Sequence, residues 1–475
     1  MKLPQLEEMG IPTGPIHFLS GLAGKETLHL SIPTIGPVVL GANLEKLGYR
    51  VSISDYYMDA GFPECSDLTG ISSTFMGIKD ICDIARNVRS RNPGGVIVLG
   101  GPLSWSISPE RLLHDIPELD YIVIGEGEET FERLLKQLNS DGDLSSVPNI
   151  AFRRDDMTTV TVRQVLPSNK IMPPDWSLMD LKSSSRIPVL PVETSRGCPF
   201  SCAYCSEVTY WGKPVRYREI GSVVQELHRN STEFGINTFR FTDSCFSAPP
   251  ERAGLLCDAI YEGCIRQGVS IKWSSYARVS NLDRGLLEKM ARSGCVALDI
   301  GVESGSEKML KAMGRHYSPS AAVEVANIAR ELGVITNFNV VVGFPGETSH
   351  TVEQTASLIE QAAPDTYSCF LFYYAPNTRV ESLTLEYGLN GQGLEWRHDT
   401  MDSEEAAESM KHIEEVVTSS ANLPGGEYFA CYLASLGFTT TQIKGFYWSL
   451  SSSGVEAYNE GYGLDGLVQS IRAYL

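Results

Sequence analysis

Short runs rich in Val and Ile, each followed by a helix-like stretch, recur in two separate series along this 475-residue chain. Alternation of that kind commits a chain to parallel sheets covered by helices, an α/β architecture. In the first series, strands are expected at Pro15–Ser20, Tyr49–Ser54, Asp67–Ser72, Gly95–Gly100 and Asp120–Ile124, and helices at about Gly36–Leu47, Ile78–Arg91 and Glu128–Leu138. These predict a doubly wound, Rossmann-like sheet, in which ligands sit at the carboxyl ends of the strands. Three Gly- or Ser-rich turns fall there: Ser72-Ser73-Thr74, Gly100-Gly101-Pro102 and Gly125-Glu126-Gly127-Glu128.

The stretch Asn149–Arg163 alternates with period two around Arg154-Asp155-Asp156 and predicts a hairpin. Leu166–Ser185, with Pro167, Pro173, Pro174 and Ser183-Ser184-Ser185, reads as an irregular connection. The second series predicts strands at Val189–Thr194, Thr238–Thr242, Ile271–Tyr276, Val296–Gly301, Ile335–Val342 and Tyr367–Phe372, a partial (β/α)6 barrel. From about Trp396 the pattern turns helical, clearest over Ser403–Ser419, predicting a small C-terminal helical domain. The expected division is a Rossmann-like domain over 1–148, a hairpin and linker over 149–188, the barrel over 189–390 and a helical cap over 391–475.

A net charge of -19 argues against a protein that grips nucleic acid through a broad cationic surface. No apolar run reaches the roughly eighteen residues of a membrane span, and Met1–Gly14 lacks a basic segment followed by an apolar one. The cytoplasm is the expected location, with no membrane partner. Eleven cysteines are too sparse for a disulfide scaffold, yet three fall within eight residues, in Arg196-Gly197-Cys198-Pro199-Phe200-Ser201-Cys202-Ala203-Tyr204-Cys205. Three soft sulfur ligands on one loop suit three irons of a cubane and leave the fourth iron open. A structural zinc site would want a fourth ligand, and the nearest downstream histidine is His228. Cys65, Cys82, Cys257, Cys264, Cys295, Cys369 and Cys431 lie in apolar patterns and read as buried packing residues.

The C-x3-C-x2-C spacing, with aromatic Tyr204 before the last cysteine, resembles the radical S-adenosylmethionine (SAM) enzymes. The resemblance implies that Cys198, Cys202 and Cys205 hold a [4Fe-4S] cluster whose open iron binds SAM and whose electron cleaves it to a 5'-deoxyadenosyl radical. It implies SAM contacts from Tyr204 and from the strand ends at Asp243, Ser244, Arg278, Glu303, Gly343, Phe344 and Pro345. Glu303 resembles the family's carboxylate for the SAM ribose, Arg278 is a candidate partner for the SAM carboxylate, and the turn Gly343-Phe344-Pro345-Gly346-Glu347 admits adenine near the backbone.

A Rossmann-like domain placed before such a barrel resembles the cobalamin-binding branch of the family, with matching wording at Gly70-Ile71-Ser72, Leu99-Gly100-Gly101-Pro102 and Asp120 to Glu128. The resemblance implies cobalamin held by Ser72, Ser73, Thr74, Gly100, Gly101, Pro102, Gly125, Glu126 and Gly127. The chain departs from many cobalamin domains in having no Asp-x-His-x-x-Gly motif, so no protein histidine is expected on cobalt. The implied reaction is methyl transfer from methylcobalamin to an unactivated carbon, or a phosphinate phosphorus, of a small-molecule or carrier-bound substrate such as a secondary metabolite. Cyclisation, rearrangement or oxidation without methyl transfer is the alternative, and a reductant such as flavodoxin or ferredoxin is the expected partner. No catalytic side chain is assigned. Cys245, at a strand end, and His398, in Trp396-Arg397-His398-Asp399-Thr400-Met401, are the candidates for a direct role.

Overall fold

The computed structural model describes residues 16–20, 33–55, 66–74, 77–140, 142–155, 157–179, 181, 189–423 and 426–453. Cys65 and the run Ser183–Ser185 lie outside them. The chain divides into two compact units, Met1–Ile187 and Pro188–Leu475.

In the first unit, five strands run parallel in the order Val51–Asp55, Ile16–Ser20, Leu68–Ser72, Val96–Gly100 and Tyr121–Val123. The chain order reverses between Ile16–Ser20 and Leu68–Ser72, which is where such sheets take their ligands. The hairpin expected over Asn149–Arg163 forms as Ile150–Arg154 and Met157–Val160, and it extends this same sheet in antiparallel fashion. Alternate residues of one strand feed two cores. Ile97 and Leu99 pack with Ile81, Ile84, Leu112 and Leu113, whereas Val98 packs with Leu44, Phe131 and Leu134. A sheet buried on both faces needs apolar residues at every position, hence the unbroken run from Val96 to Leu99. One helix that the first reading does not contain, Pro109–Asp115, starts on a Ser108 cap with Pro109 in its first turn.

The second unit carries a seven-stranded parallel sheet: Leu190–Val192, Thr238–Phe241, Lys272–Arg278, Cys295–Glu303, Ile335–Val342, Thr366–Leu371 and the short Ala421–Asn422. The first six are the expected barrel strands. Side chains cap three of the helices between them, at Glu219, Asp283 and Thr348, and Thr348 with Thr351 forms a reciprocal box that starts Ser349–Ala362. One expectation needs correction. The segment from Trp396 is not helical: Asn390–Gln392, Glu395–His398 and Met401–Asp402 form an antiparallel ribbon. Its buried Trp396 and His398 alternate with exposed Glu395 and Arg397, so burial there has the period of a strand. Helices follow at Ser403–Val416, Gly426–Ser435 and Thr440–Ser453. The middle one lies against the barrel strands from Thr238–Phe241 to Ile335–Val342. Among the described residues no helix is long and apolar enough to cross a membrane.

Candidate active site

The loop carrying the three cysteines leaves the first barrel strand and is braced at its root before the first cysteine. Ser195–Arg196 pairs with Arg216–Tyr217, and buried Arg196 bonds Glu193 at 2.9 Å. Asp243 completes the brace. Expected at SAM, it is instead 1% exposed and accepts from the Thr194 N–H at 3.2 Å, the Thr194 hydroxyl at 2.7 Å and the Ser195 hydroxyl. Its oxygens are occupied by the root of the cysteine loop. Neighbouring Ser244 donates to Glu207, just beyond Cys205.

Each of the three sulfurs meets a donor. The backbone N–H of Phe200 faces Cys198 and that of Glu207 faces Cys205, while Arg278 Nη1 lies 3.2 Å from Cys202 Sγ. Donors aimed at sulfur stabilise negative thiolates, as iron-sulfur sites require. Burial pushes the Cys198 thiol up and the Cys205 thiol up to about 12, and binding iron would require both to give up the proton. None of the three is in a disulfide. Among the described residues no three His, Cys, Asp or Glu side chains converge closely enough to ligate a single ion; a cubane holds its thiolates apart, one to each iron. The donor set fits a cluster. Arg278 therefore stands at the cluster loop, with its guanidinium 4.0 Å from the Phe200 ring centre and its Nε bonded to Ser280.

Glu303 ends its strand at a register shift after Gly301 with φ 64, a left-handed conformation uncommon for a side-chain-bearing residue. Its carboxylate pairs with Arg315, which also donates to the Tyr204 hydroxyl at 2.8 Å. Gly301 makes room for this pair, since a Cβ there would lie 2.5 Å from Glu303 Oε1 and 3.0 Å from Arg315 Nη2. Arg315 is absent from the residues expected from sequence, and its position after the left-handed Gly314 is the one local signal.

The Gly343 turn follows the fifth strand with φ 91. Phe344 is fully buried, with its ring edge-on to Tyr204 and Phe372; Gly343 and Pro345 are buried beside it. The Trp396–His398 ribbon supports this turn. A Cβ on Gly343 would sit 2.4 Å from the Trp396 ring, and the Trp396 indole N–H donates to Phe372 O. His398 Nδ1 faces Thr400, leaving Nε2 to donate to Gly343 O at 3.3 Å. At 8% exposure His398 supports the turn, and burial lowers its pKa. Cys245 is likewise a packed residue, 7% exposed against Ser247, and burial pushes its thiol up to about 12.

Glu347, 1% exposed, accepts the Gly343 and Phe344 N–H groups, and burial raises it to about 7. The raised value means that the folded state holds a proton the unfolded state has released. The associated stability is complete below the unfolded value of about 4.5 and is lost as pH rises through about 7. Comparing urea midpoints at pH 6 and pH 8, the wild type is expected to lose more stability than Glu347→Gln, which keeps an acceptor without the charge. Equal losses would remove Glu347 as the cause.

In the first unit, the three expected turns lie side by side at the carboxyl ends of Leu68–Ser72, Val96–Gly100 and Tyr121–Val123. Ser73 N–H donates to Gly100 O, and Ser73 Oγ accepts from Leu103 N–H. Ser72 donates to Thr74, and Glu126 accepts from the Leu166 N–H. Among the described residues nothing lies within 4 Å of where a Gly100 Cβ would be, and only Arg163 Nε, at 4.0 Å, approaches that of Gly125.

Residues 192–359 match the family described as the Radical SAM superfamily, and the three cysteines, Glu303 and the Gly343 turn all fall inside that span. That span is a radical SAM domain. A radical SAM domain takes a [4Fe-4S] cluster and SAM, and the chain is an enzyme of that kind. It is 27% identical over 323 residues to an uncharacterized methyltransferase of Pyrococcus horikoshii, covering 66% of this chain and 68% of the relative. It is also 27% identical over 342 residues to the anaerobic magnesium-protoporphyrin IX monomethyl ester cyclase of Synechocystis sp., covering 66% and 65%. The fold is that of the radical SAM methyltransferase TsrM from Kitasatospora setae with cobalamin and [4Fe-4S] cluster bound, at a TM-score of 0.70, 16% identity, and coverage of 94% of this chain and 100% of TsrM.

Proposed function

We propose that this radical SAM enzyme is a cobalamin-dependent methyltransferase acting on an unactivated carbon, or a phosphinate phosphorus, of a small or carrier-bound substrate. The observation that carries the reading is that the chain holds both a donor-ringed three-cysteine loop and a Rossmann-like unit whose Ser72, Gly100 and Gly125 turns lie side by side at the strand ends. When bound, the cluster and SAM supply a 5'-deoxyadenosyl radical and methylcobalamin supplies a methyl group. The protein's part is placement. Cys198, Cys202 and Cys205 hold the cluster, Arg278 offsets thiolate charge beside Cys202, and Glu303 with Tyr204 and the Gly343 turn hold SAM. The residues 72–74, 100–102 and 125–127 hold cobalamin, with no histidine required on cobalt. A one-electron reductant such as flavodoxin or ferredoxin completes the system.

The test is cobalt and corrin content of protein prepared without oxygen from cobalamin-fed cells. About one cobalamin per chain is the expected result. Cluster-loaded protein that excludes cobalamin would overturn the methyltransferase reading and favour ring closure or rearrangement, the chemistry suggested by the cyclase relative.

A further inference from the structure

The root of the cysteine loop is also held by buried charges for which the chemistry above has no use. Arg218, just after Arg216–Tyr217, donates its backbone N–H to Thr194 O at 2.9 Å and its Nη1 to Glu193 O at 2.8 Å. Arg252, from the helix Pro250–Gly263, donates to Thr194 O at 3.2 Å and to Arg218 O at 2.9 Å. Glu226, on the helix Ile220–Phe234, places Oε2 2.7 Å from Arg218 Nη1. Arg218 is 4% and Glu226 6% exposed. Thr194 precedes Cys198 by four residues, so the anchor of this pair and the first proposed iron ligand lie at most about 14 Å apart.

The pair is only partly compensated. Neither Glu226 oxygen accepts an aligned hydrogen bond, and Arg218 Nε and the amide nitrogen of Asn230, one helical turn from Glu226, are also without one. The charged groups around Glu226 are Arg218, Glu193 with its partner Arg196, Arg252 bonded to Arg218 O, and Arg229 on its own helix, which engages Glu233. Only Arg218 among them is in contact with it as a counter-charge. A buried carboxylate with one cation and no aligned donor is a poor home for negative charge. Burial raises Glu226 to about 7 against the pull of Arg218, and Glu193 pushes in the same direction as burial.

We propose that Arg218 and Glu226 are positioning residues for the cluster, and that the Glu226 carboxylate takes up one proton from solvent when the cluster accepts one electron from its reductant. The proposal rests on the cluster reading of the cysteine loop. One electron and one proton enter together, the carboxylate becoming the acid, and both leave when the cluster is reoxidised. An added electron is a new negative charge in a poorly screened interior, so it disfavours the ionised form of Glu226. Reciprocity then requires that neutral Glu226, which leaves the Arg218 charge unanswered, favours the reduced cluster. The cluster is therefore easier to reduce at low pH and a stronger reductant at high pH.

The test is a redox titration of the reconstituted full chain without SAM at pH 6 and pH 8, with the reduced cluster read by electron paramagnetic resonance. The wild-type midpoint is expected to be more negative at pH 8 than at pH 6. Glu226→Gln, which keeps the shape and removes the charge, is expected to lose most of that difference and to stay near the wild-type value at pH 6. Arg218→Met/Glu226→Gln lacks both charges and is expected to lose the difference as well, but to stay near the wild-type value at pH 8. This second variant also carries the test if the first does not fold. A merely structural role would change cluster content or the melting temperature and leave the pH dependence intact. A wild-type midpoint equal at the two pH values, or a cluster-loaded variant whose midpoint still falls as the wild type's does, would overturn this proposal alone. Wild-type protein that takes up no cluster would overturn the cluster reading of the loop and this proposal with it.

Discussion

Replacing Cys198, Cys202 and Cys205 together by alanine is expected to remove all cluster-bound iron and to reduce 5'-deoxyadenosine formation to the background of enzyme-free SAM. The effect is total because the three thiolates are the proposed cluster ligands, and the donors that surround them, the Phe200 and Glu207 amides and Arg278, cannot themselves bind iron. Iron and sulfide analysis after anaerobic reconstitution, with chromatography of the nucleoside product, reads both quantities. A triple variant that still cleaves SAM would sink the assignment of this loop. The fold should survive, since the root of the loop is held by Asp243, Glu193 and Arg196 rather than by the sulfurs.

The second large effect concerns Arg315. Glu303 and Arg315 are both nearly buried and pair directly. Replacing Arg315 by Met keeps much of the stem but leaves a carboxylate without its counter-charge, a loss that runs to about 3–5 kcal/mol for buried pairs. Urea unfolding of the second unit should show that loss, and the double variant Arg315→Met/Glu303→Gln should recover a good part of it. SAM affinity separates structure from function. If Glu303 binds the ribose, the double variant remains folded yet weak for SAM, whereas near-normal SAM binding in it would assign the pair to stability alone.

The barrel was legible because short runs enriched in Val, Ile and Phe recur between helical segments at regular spacing; Ile335–Val342 is found with the bounds expected for it. The turns at Gly100, Gly125 and Gly343 were legible for a related reason, since a strand that ends at a left-handed or open glycine is marked in the sequence itself. Partnerships across the fold were not. Nothing in the spacing of Glu303 and Arg315 distinguishes a buried pair from two surface charges, and Asp243 looks like any strand-end acid until the Thr194 and Ser195 hydroxyls are seen to claim it. The ribbon at Trp396 was misread because its few alternating residues run straight into Ser403–Val416, whose strong start on Asp402 and Glu405 dominates the local pattern. The packing between the barrel strands and the helix Gly426–Ser435 was hidden more deeply. Arg240, Tyr276, Asp299 and Asn339 occupy strand interiors where apolar residues are the rule, and what makes them tolerable is a helix nearly a hundred residues beyond Asn339.

That distance along the chain has a consequence for biosynthesis. Chains fold from the amino end as they leave the ribosome, and the six main strands of the barrel are complete once Leu371 has emerged. The helix Gly426–Ser435 is not yet made. Until it arrives, Arg240 lacks one of its two aromatic faces. The nascent protein thus passes through a stage in which every cysteine proposed for the cluster has been synthesised while the helix that packs beneath the barrel strands is still missing.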